Sequence, residues 1–202
     1  HFEAQSAKDA LVEVSGQLKC VAVGLHKIAN DLRLLGSGPR CGIGELQLPS
    51  TQPGSSIMPG KVNPVMSEAL MQVCARVIGA DATVTWAAAH GSAFELNVMM
   101  PIIAHEMIES ISILSNVVTV FRERCVDGLT ANVERCGQLI EQSLAMVTSL
   151  APLIGYDRAA EIAKESAQTG RTVREICRER KLLPEEQLDA VLDPASMTRP
   201  ED

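Results

Sequence analysis

Residues 11–35 read LVEVSGQLKCVAVGLHKIANDLRLL. Leu11, Val14, Leu18, Val21, Leu25, Ile28, Leu32 and Leu35 recur at alternating spacings of three and four. That alternation is the seam of a helix packed nearly parallel to its neighbours. Lys8, Asp9, Glu13, Lys19, Lys27 and Asp31 fall on the other faces. A helix spanning about 3–35 would be roughly 48 Å long. A compact globule of 202 residues has a radius of gyration of only about 17 Å. The pattern therefore predicts a rod-like bundle of long helices, completed by other chains or by segments outside this one.

The composition agrees with an all-α fold. Aromatic residues are 2% of the chain, against 46% hydrophobic. A β-sandwich or barrel leans on aromatic side chains that this sequence lacks. The formal charge is −7, from 18 basic and 25 acidic residues, without the basic footprint of a nucleic-acid binder. The longest charge-free runs, 46–60 and 142–156, contain proline and fall short of the roughly 20 apolar residues of a membrane span. No nucleic-acid or membrane partner is expected. Cys20, Cys41, Cys74, Cys125, Cys136 and Cys177 form no C-x-x-C pair. They read as reduced thiols of a cytoplasmic protein. The chain opens on His1-Phe2-Glu3, with neither methionine nor a leader pattern. No signal peptide is expected in this chain, and its start reads as a cut through a longer protein.

Beyond the first helix, Gly36-Ser37-Gly38-Pro39 is a helix stop. Residues 36–63 hold no periodicity but many Gly, Pro and Ser, the mark of a mobile, functional loop. Asn63-Pro64 reads as an N-cap followed by proline at the first helical position. Leu70, Val73, Val77 and Val84 carry a second long helix to about Gly91. Met100, Ile103, Met107, Leu114, Val118 and Phe121 mark a third, over about 97–127, with Pro101 in or near its first turn. From 128 to 202 the segments shorten. Thr172-Val173-Arg174-Glu175 is a capping box and Pro184-Glu185-Glu186 another helix start. The expected organisation is a central helical-bundle portion over 1–127 and a small helical C-terminal domain over 128–202.

No pair among His1, His26, His90 and His105 has metal-binding spacing, and no nucleophile elbow is present. Neither a metal nor an organic cofactor is expected. The informative stretch is Gly54-Ser55-Ser56-Ile57-Met58-Pro59-Gly60-Lys61-Val62-Asn63-Pro64. Two hydroxyl residues follow a glycine, and a lysine and an asparagine precede a helix start. Unpaired N–H groups at a helix N-terminus attract anions. Lys61 adds a full charge and Asn63 an amide donor, a set suited to a carboxylate or phosphate. Val62 follows the lysine, so this is not a Walker A loop. The same spacing also fits a flexible linker running into a capped helix. Glu68 either faces the site of Lys61 or complements the helix dipole from the first turn.

The stretch 54–64 resembles the signature of the aspartase/fumarase superfamily, G-S-S-x-M-P-x-K-x-N-P, at all eight fixed positions. HFEAQSAKDALVE, KIANDLRLLGSGPRCGIGEL, FELNVMMP and GYDRAAEIAKESAQTGRTVRE are similar to the C-terminal half of the class II fumarases. Pro53 and Phe94-Glu95-Leu96-Asn97 lean towards fumarase rather than aspartase. The resemblance implies that Ser55 is the general base that takes a proton from the carbon beside a carboxylate. Ser56, Lys61, Val62 and Asn63 would contact the substrate carboxylates, and Glu68 would pair with a histidine of a neighbouring subunit. The implied reaction is reversible hydration of fumarate to malate, in a homotetramer whose site gathers segments from three subunits. Two of those segments match nothing here, so the isolated chain is expected to be inactive. The alternatives are aspartate ammonia-lyase or another lyase of the superfamily, and a helical assembly module without catalysis.

Overall fold

The computed structural model describes residues 2–52, 54 and 57–198. They form two compact units, 1–131 and 132–202. The boundary falls four residues beyond the 127/128 division read from the sequence. The chain has to complete a short strand pairing before it leaves the first unit.

That unit is built on three long helices, preceded by the single-turn helix α1 (Phe2–Ser6): α2 (Asp9–Leu35), α3 (Val65–His90) and α4 (Met100–Phe121). The continuous helix expected from residue 3 is interrupted at Ala7-Lys8. Their shared core holds Ala22, Ala29, Leu70, Cys74, Val77, Leu114, Phe121 and Cys125. A second cluster, Val84, Ala87, Ile103 and Met107, packs nearby. The three-four period of α2 is real, but its buried stripe is displaced from the predicted seam. Ser15, Ala22 and Ala29 are the buried positions. Val14, Val21 and Ile28 are 48%, 52% and 49% exposed. The reason is steric: interaxial distance depends on the side chains at the contact, and an alanine row permits close approach. The larger residues are left flanking that contact or facing away.

A buried polar link joins α2 to α3. Asp81 is 6% exposed. It accepts a hydrogen bond from Ser15 Oγ at 2.8 Å and one from Lys19 Nζ at 2.5 Å. The carboxylate holds the Lys19 ammonium above its ordinary pKa through this hydrogen bond and the accompanying charge attraction. Such a link fixes register, because a slip would strand a buried carboxylate. Across α3 and α4, Arg76 pairs with the buried Glu106 at 2.7 Å. The stretch Met100–Val126 is long and apolar enough to cross a membrane by length and composition alone. Its Glu106 and Ser110 are nevertheless buried against the neighbouring helices, as in a bundle.

Between α3 and α4 the chain forms a small hairpin that the sequence reading took as linker and helix. Strands β2 (Ser92–Ala93) and β3 (Leu96–Asn97) pair antiparallel; a strand of the preceding loop, Leu46–Gln47, is β1. Phe94 at the hairpin tip has φ 51° and is 93% exposed. Asn97 is buried; it donates to Ala87 O at 3.3 Å and accepts from Met99 N–H at 2.9 Å. These bonds close the hairpin and launch α4 at Met100, with Pro101 in its first turn as expected. Helix α4 ends in a π-helical turn, Arg122–Val126. Strand β4 (Thr130–Ala131) follows and pairs antiparallel with β1.

The second unit contains α5 (Val133–Gln142), α6 (Ala151–Ile154), α7 (Tyr156–Thr169), α8 (Val173–Glu179) and α9 (Glu185–Val191). Its core is Met146, Leu150, Ile162, Val173, Ile176, Cys177, Leu188 and Leu192. The capping box at Thr172 forms both reciprocal bonds. Arg174 ties three elements together: it donates to Glu141 on α5, to Asp189 on α9 and to Leu192 O. Those carboxylates, Glu141 first, hold its pKa above the ordinary guanidinium value.

Candidate active site

The stretch 54–64 lies on the way into α3. Met58 O accepts the N–H of Lys61 at 3.2 Å, closing a four-residue turn. Pro59 takes its second position and Gly60, with φ 80°, its third. That is the type II pattern, which needs a residue tolerant of positive φ at the third position. The signature leaves that position open, and this chain fills it with glycine. The two ends of the loop meet: a Cβ on Gly54 would lie 1.2 Å from Lys61 O, so a side chain there is excluded.

Lys61 and Val62 are exposed and Asn63 is half-buried. Among the described residues Lys61 has no ion-pair partner. Its charge is therefore available to an incoming anion next to the start of α3. The expected cap differs in detail. Helix α3 begins at Val65, with Pro64 as the N-cap residue and no side-chain cap hydrogen bond. Asn63 instead uses its carbonyl, which accepts from Val65 N–H at 2.9 Å. A capping role for the Asn63 amide is thereby removed. Glu68 lies in the first turn of α3. At 3.6 residues per turn it falls well away from the buried row Ser67, Leu70, Cys74 and Val77. It is half-buried and lies off that core row. Ser55 and Ser56 lie outside the described residues.

The sequence reading missed what lies beneath this site. Leu48, Pro49 and Thr51 before the turn, and Asn63 and Ser67 after it, border one small recess over Arg124 and Cys125. Ser67 and Cys125 are 1% and 3% exposed. Burial pushes the Cys125 thiol pKa up, with the Ser67 hydroxyl pulling the other way. No sequence signal marked this recess: a serine in a first helical turn is ordinary, and only the tertiary packing buries Ser67. Among the described residues no group of three or more His, Cys, Asp or Glu is placed to hold a metal. Of the histidines, His90 stacks on Trp86 with centroids 3.7 Å apart, and His105 lies 4.0 Å from Glu109. Neither is joined to the loop.

Residues 1–79 match the family described as Lyase, and 146–199 match Fumarase C C-terminus. Over 204 residues the chain is 51% identical to fumarate hydratase class II of Mycobacterium tuberculosis, covering 99% of this chain and 43% of that protein. It is 52% identical to aspartate ammonia-lyase of Pseudomonas aeruginosa, covering 98% and 42%. The crystal structure of class II fumarase from Schistosoma mansoni superposes with TM-score 0.92 at 38% identity, covering 100% of this chain and 42% of that one. The chain thus spans less than half the length of the relatives it matches.

Proposed function

The chain belongs to the aspartase/fumarase superfamily, and on that premise we propose that it forms the C-terminal portion of a fumarase-type lyase. The reaction is reversible hydration of fumarate to malate. Ser55 takes the proton from the carbon beside one carboxylate of malate. The electron pair left behind is delocalised into that carboxylate as a doubly charged aci-carboxylate. Collapse of this species forms the carbon–carbon double bond and expels hydroxide from the adjacent carbon. Ser56, Lys61, Val62 and Asn63 hold the substrate carboxylates. Lys61, Asn63 and the N-terminus of α3 stabilise the added charge, the largest contribution an enzyme site of this kind makes.

The observation that carries the reading is the ammonium of Lys61, exposed and without an ion-pair partner among the described residues, set by the Met58–Lys61 turn just before a 26-residue helix. Glu68, half-buried and off the core row of α3, pairs with a histidine from another subunit. The uncovered Val14, Val21 and Ile28 support assembly through the bundle, as a homotetramer. Cys20 and Cys41, exposed and unbridged, support a reducing, cytoplasmic location. The reading includes neither membrane nor nucleic acid, and no cofactor. The 202-residue chain alone supplies one part of a composite site and is expected to turn over nothing.

The identity to an aspartate ammonia-lyase favours a second reading, in which ammonia leaves in place of hydroxide. The full-length gene product carrying this chain decides between them in an ultraviolet assay at fumarate absorbance. Malate turnover without aspartate turnover is expected. Fumarate from aspartate alone would replace the first reading with the second. A tetramer that uses neither substrate would leave only an assembly role.

A further inference from the structure

We propose that the segment Arg122–Ala131 is a clasp that sets the position of the signature loop, with Gly128 as its positioning residue. Three contacts, made by different parts of the segment, converge on the loop. Strand β4 pairs with β1, Leu46 opposite Ala131 and Gln47 opposite Thr130. Gly128 lies so close to the loop that a Cβ there would meet Pro49 Cγ at 2.8 Å. Arg124 and Cys125 floor the recess bordered by Pro49 and Thr51 from the entering stem and by Asn63 and Ser67 from the leaving stem. Both stems of one loop therefore rest on a single segment, which comes from the far end of α4.

The π turn makes this route available. Asp127 N–H bonds Arg122 O at 2.9 Å, a five-residue step. It ends α4 while Cys125 stays buried, and the chain then turns back towards β1. Single π turns are uncommon and are frequent at functional sites. The consequence for the loop is quantitative in kind. Closure entropy grows with the length of chain between fixed points, and the clasp supplies such points at Pro49 and Thr51 on one stem and at Asn63 on the other. Lys61 then has fewer positions to sample. A displacement of the stem by a few tenths of an ångström passes to Lys61 and Asn63 without altering either side chain.

The kinetic arm of the test rests on the lyase reading above; the exchange arm does not. In the full-length gene product, Gly128→Ala forces Pro49 aside, and Gly128→Ala/Pro49→Ala restores room for it. Expected for Gly128→Ala is a loss of about tenfold in kcat, in line with misplacement costs in positioned sites. Melting temperature and oligomeric state should stay near wild type. Amide exchange over 57–63 should quicken, and the double variant should recover most of kcat and of the protection. Unchanged exchange over 57–63 in Gly128→Ala would overturn the clasp whatever the substrate. So would a double variant no better than the single one. Should Gly128→Ala impair folding, Pro49→Gly loosens the same contact without a clash; its exchange over 57–63 must then quicken, and unaltered exchange overturns the proposal. A wild-type protein that turns over neither malate nor aspartate would remove the lyase reading and leave the exchange result standing.

Discussion

Leu70→Ala tests the packing that holds the entry helix of the site. Leu70 is fully buried in the cluster with Ala22, Ala29, Cys74 and Leu114, two residues beyond Glu68. Truncation removes three carbons, worth about 2.4 kcal/mol at ~0.8 kcal/mol each. The alanine row opposite cannot collapse inward, so most of the vacated space persists. At roughly 24 cal/mol per Å³ a residual cavity on the order of 60 Å³ adds about 1.5 kcal/mol. The expected loss is about 4 kcal/mol. With an unfolding entropy of ~2.1 cal/mol/K per residue over a unit of about 130 residues, the unit melts about 14 °C lower. The assay is urea unfolding of the full-length gene product, repeated at two protein concentrations so that dissociation is not read as unfolding. A loss of about 2.4 kcal/mol or less, the transfer part alone, would show that the space closes, and would refute the account of a rigid small-residue contact.

Two further outcomes are expected. Burial raises the thiol pKa values of Cys74, Cys125 and Cys177 above their ordinary 9.0. The folded state therefore binds more protons than the unfolded one above pH 9. This contribution to stability is fully present below about 9 and is lost as pH rises through the raised values. Lys19 acts in the same direction at higher pH, since its pKa is raised from 10.5 by Asp81. Denaturant midpoints at pH 8 and pH 10 should fall in that order; a rise would contradict the assignment. Lys61→Met should lower kcat by roughly a hundredfold, as loss of one charge-stabilising donor does, with the oligomer intact by size-exclusion chromatography. An unchanged kcat would take Lys61 out of the site.

The long helices were legible because their apolar residues repeat with the helical period, and the capping box at Thr172 because its chemistry is local. The packing phase of α2 was not. Large aliphatic residues advertise burial, whereas Ala22 and Ala29 are buried because they are small, and nothing in their identity says so. The pairing of β1 with β4 was invisible for another reason. Its strands are two residues each and 83 positions apart from Gln47 to Thr130, so no periodicity can record them. Asp81 carries no local mark of burial, because its partners Ser15 and Lys19 come from another helix. Asn63 illustrates a local rule overridden: Asn-Pro is a capping pattern, but the backbone bond from Val65 to Asn63 moves the cap to Pro64. The motif itself was legible residue by residue, and the turn at Gly60 supplies its physical sense.

The most direct test of the central claim is Ser55→Ala in the full-length gene product, with malate turnover and oligomeric state measured together. A general base contributes about 10²- to 10⁴-fold, so kcat should fall by at least a hundredfold while the assembly is unchanged. Turnover within twofold of wild type would contradict the placement of the chemistry in the loop 54–64.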